Sequence, residues 1–345
     1  MISRLFRIPL ACAAAVLTPA APVLAQDASE SGAAGEQHLQ PVDIEEWPVP
    51  WPDTRPRDPY AVSESEVWFV GQRGDYVAKL DPTTGEFEKF DLDEGAGPHN
   101  LIVAENGDIW YAGNRAAHIG RLDTETGLIE KIAMPDPAAR DPHTLTFDAA
   151  GDIWFTVQGG NFIGKLTRAS EEVELIEVPT ANARPYGIEV AADGTVWAVL
   201  VGTNKLASVD PDTMVLTEYE LPRETARPRR MGITGDGRVW YVDYADGMLG
   251  AYDPATGVFE EWAAPSGAVS KPYGMAVDGE DRIWFVETGV EPNRLVGFDP
   301  AVERFFAAGD IPSGGGTVRH MFYHAPSDTI WFGADTNTIG RAKLD

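Results

Sequence analysis

The hydrophobic pattern of this chain repeats at intervals of 42 to 47 residues, and each interval is marked by a tryptophan. The marker residues are Trp68, Trp110, Trp154, Trp197, Trp240, Trp284 and Trp331. Each copy holds several short runs in which apolar and polar residues alternate, and this period indicates β-strands. A repeat of this length with four short strands is typical of a β-propeller blade. The sequence therefore predicts an all-β, seven-bladed β-propeller whose marker tryptophans pack between the blades.

The third repeat shows how a blade is assigned. Residues 142–147 alternate and predict the inner strand, while residues 153–156 predict the second strand after a turn that contains Gly151 and Asp152. Residues 162–166 predict the third strand. In other copies the outer strand follows a turn of the Asp-Pro-x-Thr-Gly type, as at residues 81–85.

The seventh copy reaches residue 345 after its third strand, and its fourth strand is predicted at the other end of the chain. Residues 44–50 have the outer-strand pattern and belong to no other blade. We expect this N-terminal strand to pair with the last blade and to close the ring, which removes two exposed sheet edges. The predicted propeller domain covers residues 43–345.

The N-terminal residues predict export. Arg4 and Arg7 precede an apolar run that ends in a small-residue cleavage site after Ala25, which is typical of a signal peptide over residues 1–25. A lipoprotein signal at Cys12 is the weaker alternative, because few apolar residues precede it. Residues 26–42 are small, polar and acidic and predict a flexible leader. The expected location is the periplasm or the outside of the cell.

Charge narrows the range of partners. The formal net charge is −27, and removal of two arginines with the signal peptide makes it −27 − 2 = −29. Such a charge argues against nucleic acid or an anionic membrane as partner, and no apolar run after residue 25 reaches the roughly 18 residues of a membrane span. Cys12, the only cysteine, lies in the predicted signal peptide. We expect a monomer without disulfides that takes a small-molecule ligand.

The hairpin geometry predicts where that ligand binds. A residue 11 positions before each marker tryptophan should oppose the residue 3 positions after it, at one mouth of the central channel. The first members are Arg57, His99, His143, Tyr186, Arg229, Tyr273 and, after a longer turn, Arg319. The second members are Gly71, Gly113, Val157, Leu200, Asp243, Glu287 and Ala334. Arginines, histidines, tyrosines and carboxylates concentrated at one mouth indicate a ligand site.

For single residues among these first and second members, a purely structural role remains an alternative to ligand binding. Arg229 and Asp243 could form a simple ion pair, and Tyr273 and Glu287 could share a hydrogen bond that only braces the hairpin. His320 and His324 lie four residues apart on a strand, roughly 13 Å from each other, which is too far to share one metal ion. Strand alternation also predicts that His320 points away from the face of Arg319.

Several motifs resemble the virginiamycin B lyase (streptogramin lyase) family over residues 43–345. They are residues 97–101 (GPHNL), 108–111 (DIWY), 184–188 (RPYGI), 271–275 (KPYGM) and 339–341 (IGR). The resemblance implies elimination at an ester linkage with Mg²⁺, a histidine base, a glutamate 14 residues later and a further histidine in the preceding blade. Here Glu287 matches the glutamate, Tyr273 stands at the position of the base, and Arg229 stands in the preceding blade.

The leading hypothesis is therefore a metal-assisted C–O lyase that acts on a small cyclic ester or lactone at the channel mouth. Its predicted catalytic residues are Tyr273, Glu287 and His143, and its predicted Mg²⁺ ligands are Glu287 and Asp243. The predicted substrate-binding residues are Arg57, His99, Tyr186, Arg229 and Arg319.

Two alternatives remain. One is a non-catalytic periplasmic propeller that binds an anionic ligand or a protein partner through its arginines. The other is a gluconolactonase-like metal-dependent hydrolase, whose Ca²⁺ would need Glu287 and Asp243 together with Asn114.

Overall fold

The computed structural model of the protein describes residues 39–344. The predicted signal peptide (residues 1–25) and most of the predicted leader (residues 26–42) lie outside the described residues. The described part consists of 29 β-strands and two single-turn 3₁₀ helices, Gly267–Val269 and Ala325–Ser327. None of its helices is both long and apolar enough to cross a membrane.

Two strands, β1 (Gln40–Pro41) and β2 (Asp43–Pro48), precede the first complete blade. Blade 1 consists of β3 (Pro56–Ser63), β4 (Glu66–Gly71), β5 (Tyr76–Asp81) and β6 (Glu86–Asp91). Blade 2 consists of β7 (Pro98–Val103), β8 (Ile109–Gly113), β9 (His118–Leu122) and β10 (Ile129–Ala133). Blade 3 consists of β11 (Pro142–Phe147), β12 (Ile153–Val157), β13 (Phe162–Thr167) and β14 (Glu172–Glu177).

The remaining blades follow the same plan. Blade 4 consists of β15 (Pro185–Val190), β16 (Val196–Leu200), β17 (Lys205–Asp210) and β18 (Val215–Glu220). Blade 5 consists of β19 (Pro228–Ile233), β20 (Val239–Asp243), β21 (Met248–Asp253) and β22 (Val258–Ala263). Blade 6 contains β23 (Pro272–Val277), β24 (Ile283–Glu287), β25 (Arg294–Asp299) and β26 (Arg304–Asp310). Blade 7 contains β27 (Val318–His324), β28 (Thr329–Ala334) and β29 (Thr338–Lys343).

The inner strands form a closed ring around the channel. Each inner strand (β3, β7, β11, β15, β19, β23 and β27) contacts the inner strand of the next blade, and β27 contacts β3. The predicted seven-bladed all-β propeller is confirmed.

The seam of the ring is made by the N-terminal segment. β2 pairs antiparallel with β29, from Asp43 opposite Lys343 to Pro48 opposite Thr338, and so completes blade 7 as predicted. Trp47 stacks on Trp331 with ring centroids 5.6 Å apart. The short strand β1 starts before the predicted domain boundary at residue 43 and adds a parallel fifth strand to blade 6. The segment therefore joins blades 6 and 7.

Side-chain packing explains two recurring features of the sequence, the Ile-Gly motif of the third strand and the marker tryptophan. The glycine of the Ile-Gly motif on the third strand lies against the aromatic residue that follows the marker tryptophan. A Cβ at Gly164 would stand 2.3 Å from Cζ of Phe155, so only glycine fits there. The marker Trp110 of blade 2 packs with Ile153 and Phe155 of blade 3, which confirms that these tryptophans join neighbouring blades.

A β-bulge interrupts the inner hairpin of every blade near the start of the inner strand. In blade 6, Pro272 pairs with Glu287, whereas Tyr273 was predicted there. In blade 5, Pro228 pairs with Asp243, whereas Arg229 was predicted there. The predicted register is thus wrong by one residue, because a bulge inserts an extra residue and redirects the side chains next to it.

Candidate functional site

The seven first members predicted from the hairpin geometry converge at one end of the channel. We call this set the mouth ring: Arg57, His99, His143, Tyr186, Arg229, Tyr273 and Arg319. The ring centroids of His99 and His143 are 3.6 Å apart, and those of His143 and Tyr186 are 4.0 Å apart. The guanidinium carbon of Arg229 lies 4.2 Å from the ring centroid of Tyr273, and that of Arg319 lies 5.8 Å from it. The predicted convergence is confirmed.

A second layer of polar residues lies directly behind the mouth ring, one residue later on the inner strands. We call it the inner layer: Asp58, Asn100, Thr144, Arg230 and His320. Nε of Arg57 donates to Oδ1 of Asp58 at 2.9 Å, and Nδ2 of Asn100 donates to Oδ2 of Asp58 at 3.0 Å. Nη1 of Arg230 donates to Oγ1 of Thr144 at 3.0 Å. Asp58 is thus the central acceptor of a buried network.

The sequence analysis did not single out Asp58 or Arg230. A signal was present, because two successive polar residues interrupt the alternation in five of the seven inner strands. The bulge lets both of them approach the channel. His320, the residue after Arg319, lines the channel.

Burial and the nearby arginines determine the charge states of Asp58 and of the histidines at the mouth-ring end of the channel. Burial opposes the charge on Asp58, but the Arg57 guanidinium beside it holds the pKa of the carboxyl well below its usual range. Burial, together with nearby guanidinium groups, lowers the pKa of His99 and His143 well below the usual value. Burial also lowers the pKa of His320 to about 3. The imidazoles are therefore neutral near pH 7, and the arginines dominate the local charge.

Two tyrosines meet at the centre of the mouth ring, where the hydroxyls of Tyr186 and Tyr273 are hydrogen-bonded to each other. Burial and the neighbouring Tyr273 raise the pKa of Tyr186 to about 12. Burial alone would raise the pKa of Tyr273, but the guanidinium groups of Arg229 and Arg57 lower it below its usual value. Of the two hydroxyls, that of Tyr273 therefore ionises more readily.

Several buried nitrogens at this end have no hydrogen-bond partner among residues 39–344. They are Nη2 of Arg57, Nδ1 of His99, Nε2 of His143, Nε of Arg229, Nη2 of Arg230 and Nδ1 of His320. Buried polar groups are normally paired with protein, water or a ligand. Three of these atoms are guanidinium donors, which a bound anion would satisfy.

The predicted metal ligands face their own loops. Glu287 accepts hydrogen bonds from the backbone nitrogen and Oγ of Ser266 at 2.8 and 2.6 Å. Asp243 accepts from Nη2 of Arg223 at 2.6 Å and from the backbone nitrogen of Arg227 at 2.8 Å. Each carboxylate therefore ties down the loop that enters its blade.

Such a donor set does not fit a shared magnesium ion. Mg²⁺ binds through carboxylate oxygens that are free to coordinate it, and both carboxylates are committed to other partners. Asn114, the further candidate for a calcium site, donates its amide to the carbonyl of Pro142 at 2.9 Å. Within the described range, no group of three or more histidine, cysteine, aspartate or glutamate side chains could hold a metal.

Comparison with known proteins assigns the family. Two overlapping segments, residues 29–296 and 176–345, match the model of the virginiamycin B lyase family. The chain belongs to the virginiamycin B lyase family. The resemblance predicted from the motifs is confirmed at this level. No curated protein matches the chain.

Solved structures agree with the family assignment. Virginiamycin B lyase from Staphylococcus aureus, in its selenomethionine form, is 22% identical with a TM-score of 0.79, over 88% of this chain and 100% of that one. A streptogramin B lyase structure is 25% identical with a TM-score of 0.78, over 88% of this chain and 98% of that one. A putative 6-phosphogluconolactonase from Bacteroides fragilis is 15% identical with a TM-score of 0.62, over 86% and 93%. Likeness to the first and to the last of these shows the fold alone.

Proposed function

We propose that this protein is a C–O lyase that opens a small cyclic ester or lactone at the mouth ring. One observation supports the proposal most strongly. Guanidinium groups with unpaired donors surround a tyrosine whose pKa they lower. A base beside preorganised cations is the arrangement needed to remove a proton next to a carbonyl group and to stabilise the resulting enolate.

In the proposed reaction, the Tyr273 phenolate takes the proton from the carbon next to the substrate carbonyl. Arg57 and Arg229 donate hydrogen bonds to the carbonyl oxygen as negative charge develops on it. The electrons of the C–H bond form a C=C bond to the adjacent carbon while the bond between that adjacent carbon and the ester oxygen breaks. The leaving carboxylate departs without a proton, and Arg319 is placed to bind it. Tyr273 then returns its proton to solvent.

This proposal assigns to Tyr273 the role that the family pattern gives to a histidine. A tyrosine has a high ordinary pKa, and burial raises it further, so it needs nearby cations to act as a base. His143 lies between His99 and Tyr186 and is neutral, so its proposed role is to position Tyr186. Glu287 holds the Ser266 loop. Because Glu287 and Asp243 do not fit a magnesium ion, no step is assigned to a metal.

The experiment is turnover of cyclic depsipeptides and lactones, followed by mass spectrometry and by ultraviolet absorbance of the conjugated product. Elimination leaves the mass of a cyclic ester unchanged, whereas hydrolysis adds one water. Tyr273→Phe is expected to lower kcat by about 10²–10⁴-fold, because it removes the base. Tyr219→Phe is the matched control, since its hydroxyl bonds Ser208 on the outer strands of blade 4. Equal kcat in the two variants would contradict the proposal.

Chelation tests the metal-assisted version of the reaction. Treatment with EDTA is expected to leave kcat unchanged. A loss of activity that Mg²⁺ restores would instead favour the metal-assisted mechanism with Glu287 and Asp243 as ligands. A product heavier by one water would favour the gluconolactonase-like hydrolase.

A second function, non-catalytic binding of an anion, is favoured by the burial of the tyrosine. Tyr273 is 1% exposed beneath Arg229, so a ligand meets the guanidinium groups first. This function predicts that a carboxylate such as glucuronate binds and that no tested lactone is turned over. Arg229→Gln would then weaken glucuronate binding, whereas Tyr273→Phe would leave it nearly unchanged.

The export predicted from residues 1–25 is part of the proposal. We infer that the mature protein works in the periplasm or outside the cell. Fractionation of cells that express the full chain tests this, and retention of an uncleaved protein in the cytoplasm would contradict it.

A further inference from the structure

The other end of the channel contains a cavity of about 320 Å³ that is partly open to solvent. Residues from all seven inner strands line it, and no member of the mouth ring does. Thr144 and His320 of the inner layer form its floor. The cavity is therefore separated from the candidate site by the buried polar network around Asp58.

Apolar side chains form a large part of the walls of this cavity. Met231, Met275 and Met321 line one part of it, and all three are buried. Tyr60 and Phe322 line another part, with ring centroids 4.2 Å apart. Methionine and aromatic side chains adapt to differently shaped apolar groups. Cavities of this size and lining are typical of small-molecule sites.

One carboxyl group stands in these apolar walls. Glu189 lines the cavity from β15 and is partly accessible from its interior. Burial raises the pKa of Glu189 to about 7, and Arg230 opposes that rise. The guanidinium group of Arg230 is directed elsewhere: Nη1 donates to Thr144, Nε donates to the carbonyl of Arg319 at 2.9 Å, and Nη2 lies 3.5 Å from Oδ2 of Asp58. Within residues 39–344, Glu189 has no committed partner of the kind that Glu287 and Asp243 have.

We propose that the cavity is a second ligand site, which binds a small apolar amine through its ammonium group at Glu189. An ammonium group supplies the opposite charge that an enclosed carboxylate needs. The apolar body of the ligand packs against the methionines and the Tyr60–Phe322 pair. A carboxylate ligand would be repelled by Glu189, and the net charge of −27 attracts cations to the protein. This site is independent of the proposed lyase reaction.

The test compares hexylamine, hexanol and hexanoate by isothermal titration calorimetry of the full chain. Hexylamine is expected to bind at least tenfold more tightly than hexanol, and hexanoate should bind most weakly. Glu189→Gln should remove the preference for the amine and leave hexanol binding unchanged. Equal affinities for amine and alcohol in the wild type would overturn the proposal.

A second variant locates the binding. Ala276→Leu fills the cavity from β23 and should abolish binding of both hexylamine and hexanol. Circular dichroism and the unfolding midpoint check that this variant folds. Persistent hexylamine binding to folded Ala276→Leu would place the amine elsewhere and overturn the proposal. Arg229→Gln at the mouth ring is the matched control and should bind hexylamine like the wild type.

The pH dependence gives an independent readout. Hexylamine affinity should rise from about pH 6 to about pH 8, because Glu189 ionises in this range while the amine stays protonated. The other titratable or charged groups on β15, on its neighbours β11 and β19 and in the cavity lining are Tyr186, His143, Arg229, Arg230, His320, Tyr60 and Tyr323. His320, with its pKa of about 3, stays neutral throughout the range. A flat profile would contradict a role for Glu189.

Discussion

The two ends of the channel are built from the same seven inner strands, yet they differ in chemistry. The first residues of these strands fill one end with guanidinium, imidazole and phenol groups, while later residues leave an apolar cavity at the other end. The bulge lies between the two ends and brings two successive polar residues of a strand to the channel. One strand can thus serve a charged site and an apolar one without a change of fold.

The two ends of the channel also differ in the carboxyl groups that they contain. Asp58 is buried among arginines, which keep it ionised, whereas burial in the cavity wall favours the protonated form of Glu189. The opposite signs of these two pKa shifts reflect the different surroundings of the two carboxyl groups.

The largest expected effect is a loss of stability when Asp58, the central acceptor at the polar end, is replaced. Asp58→Asn should destabilise the protein by about 3–5 kcal/mol, because Arg57 is left buried without its counter-charge. Urea unfolding measures the change. Asp91→Asn is the matched control, because the side chain of Asp91 is 71% exposed in its ion pair with Lys89. Similar stabilities of the two variants would show that the network does not stabilise this end.

At the apolar end, shortening a side chain that lines the cavity should lower the stability because packing contacts are lost. Met275→Ala should cost about 2–4 kcal/mol in the free energy of unfolding, because it enlarges an existing cavity. Val258→Ala, at an exposed position of β22, should change the stability by less than about 0.5 kcal/mol. If both substitutions have equal effects, Met275 is not part of a packed wall.

The smallest expected effects concern pH, and His320 and Glu189 should respond in opposite directions. The pKa of His320 is depressed on folding, so the unfolded chain binds a proton below about pH 6.5 that the folded chain does not. Each pH unit below that value then costs up to about 1.4 kcal/mol per histidine. The pKa of Glu189 is raised on folding, so its protonation stabilises the folded chain below about pH 7.

Stability measured between about pH 7 and pH 5.5 tests both signs. His320→Gln should make the loss of stability on acidification shallower, because it removes one group that binds its proton only after unfolding. Glu189→Gln should make the loss steeper, because it removes the opposing contribution. Parallel profiles for wild type and variants would contradict these assignments.

Much of this fold is predictable because each blade is a local structure. The marker tryptophans, the strand alternation and the isolated outer strand at residues 44–50 predict seven blades and the closure on β29. The convergence of Arg57, His99 and Tyr273 follows from the sevenfold repeat. The repeat did not predict the strand register next to these residues correctly. A signal for the bulge was nevertheless present, because paired polar residues such as Arg57 and Asp58 interrupt the alternation.

By itself, the sequence determined the repeat, the number of blades, the strand that closes the ring and the polar identity of the mouth. Only the tertiary structure decided which groups face one another there. Glu287 and Asp243 turn to their loops, Asp58 becomes the centre of the network, and Glu189 stands in a cavity shared by seven strands. The physical reason is that register and burial depend on contacts between blades far apart in the chain, which a local pattern does not record.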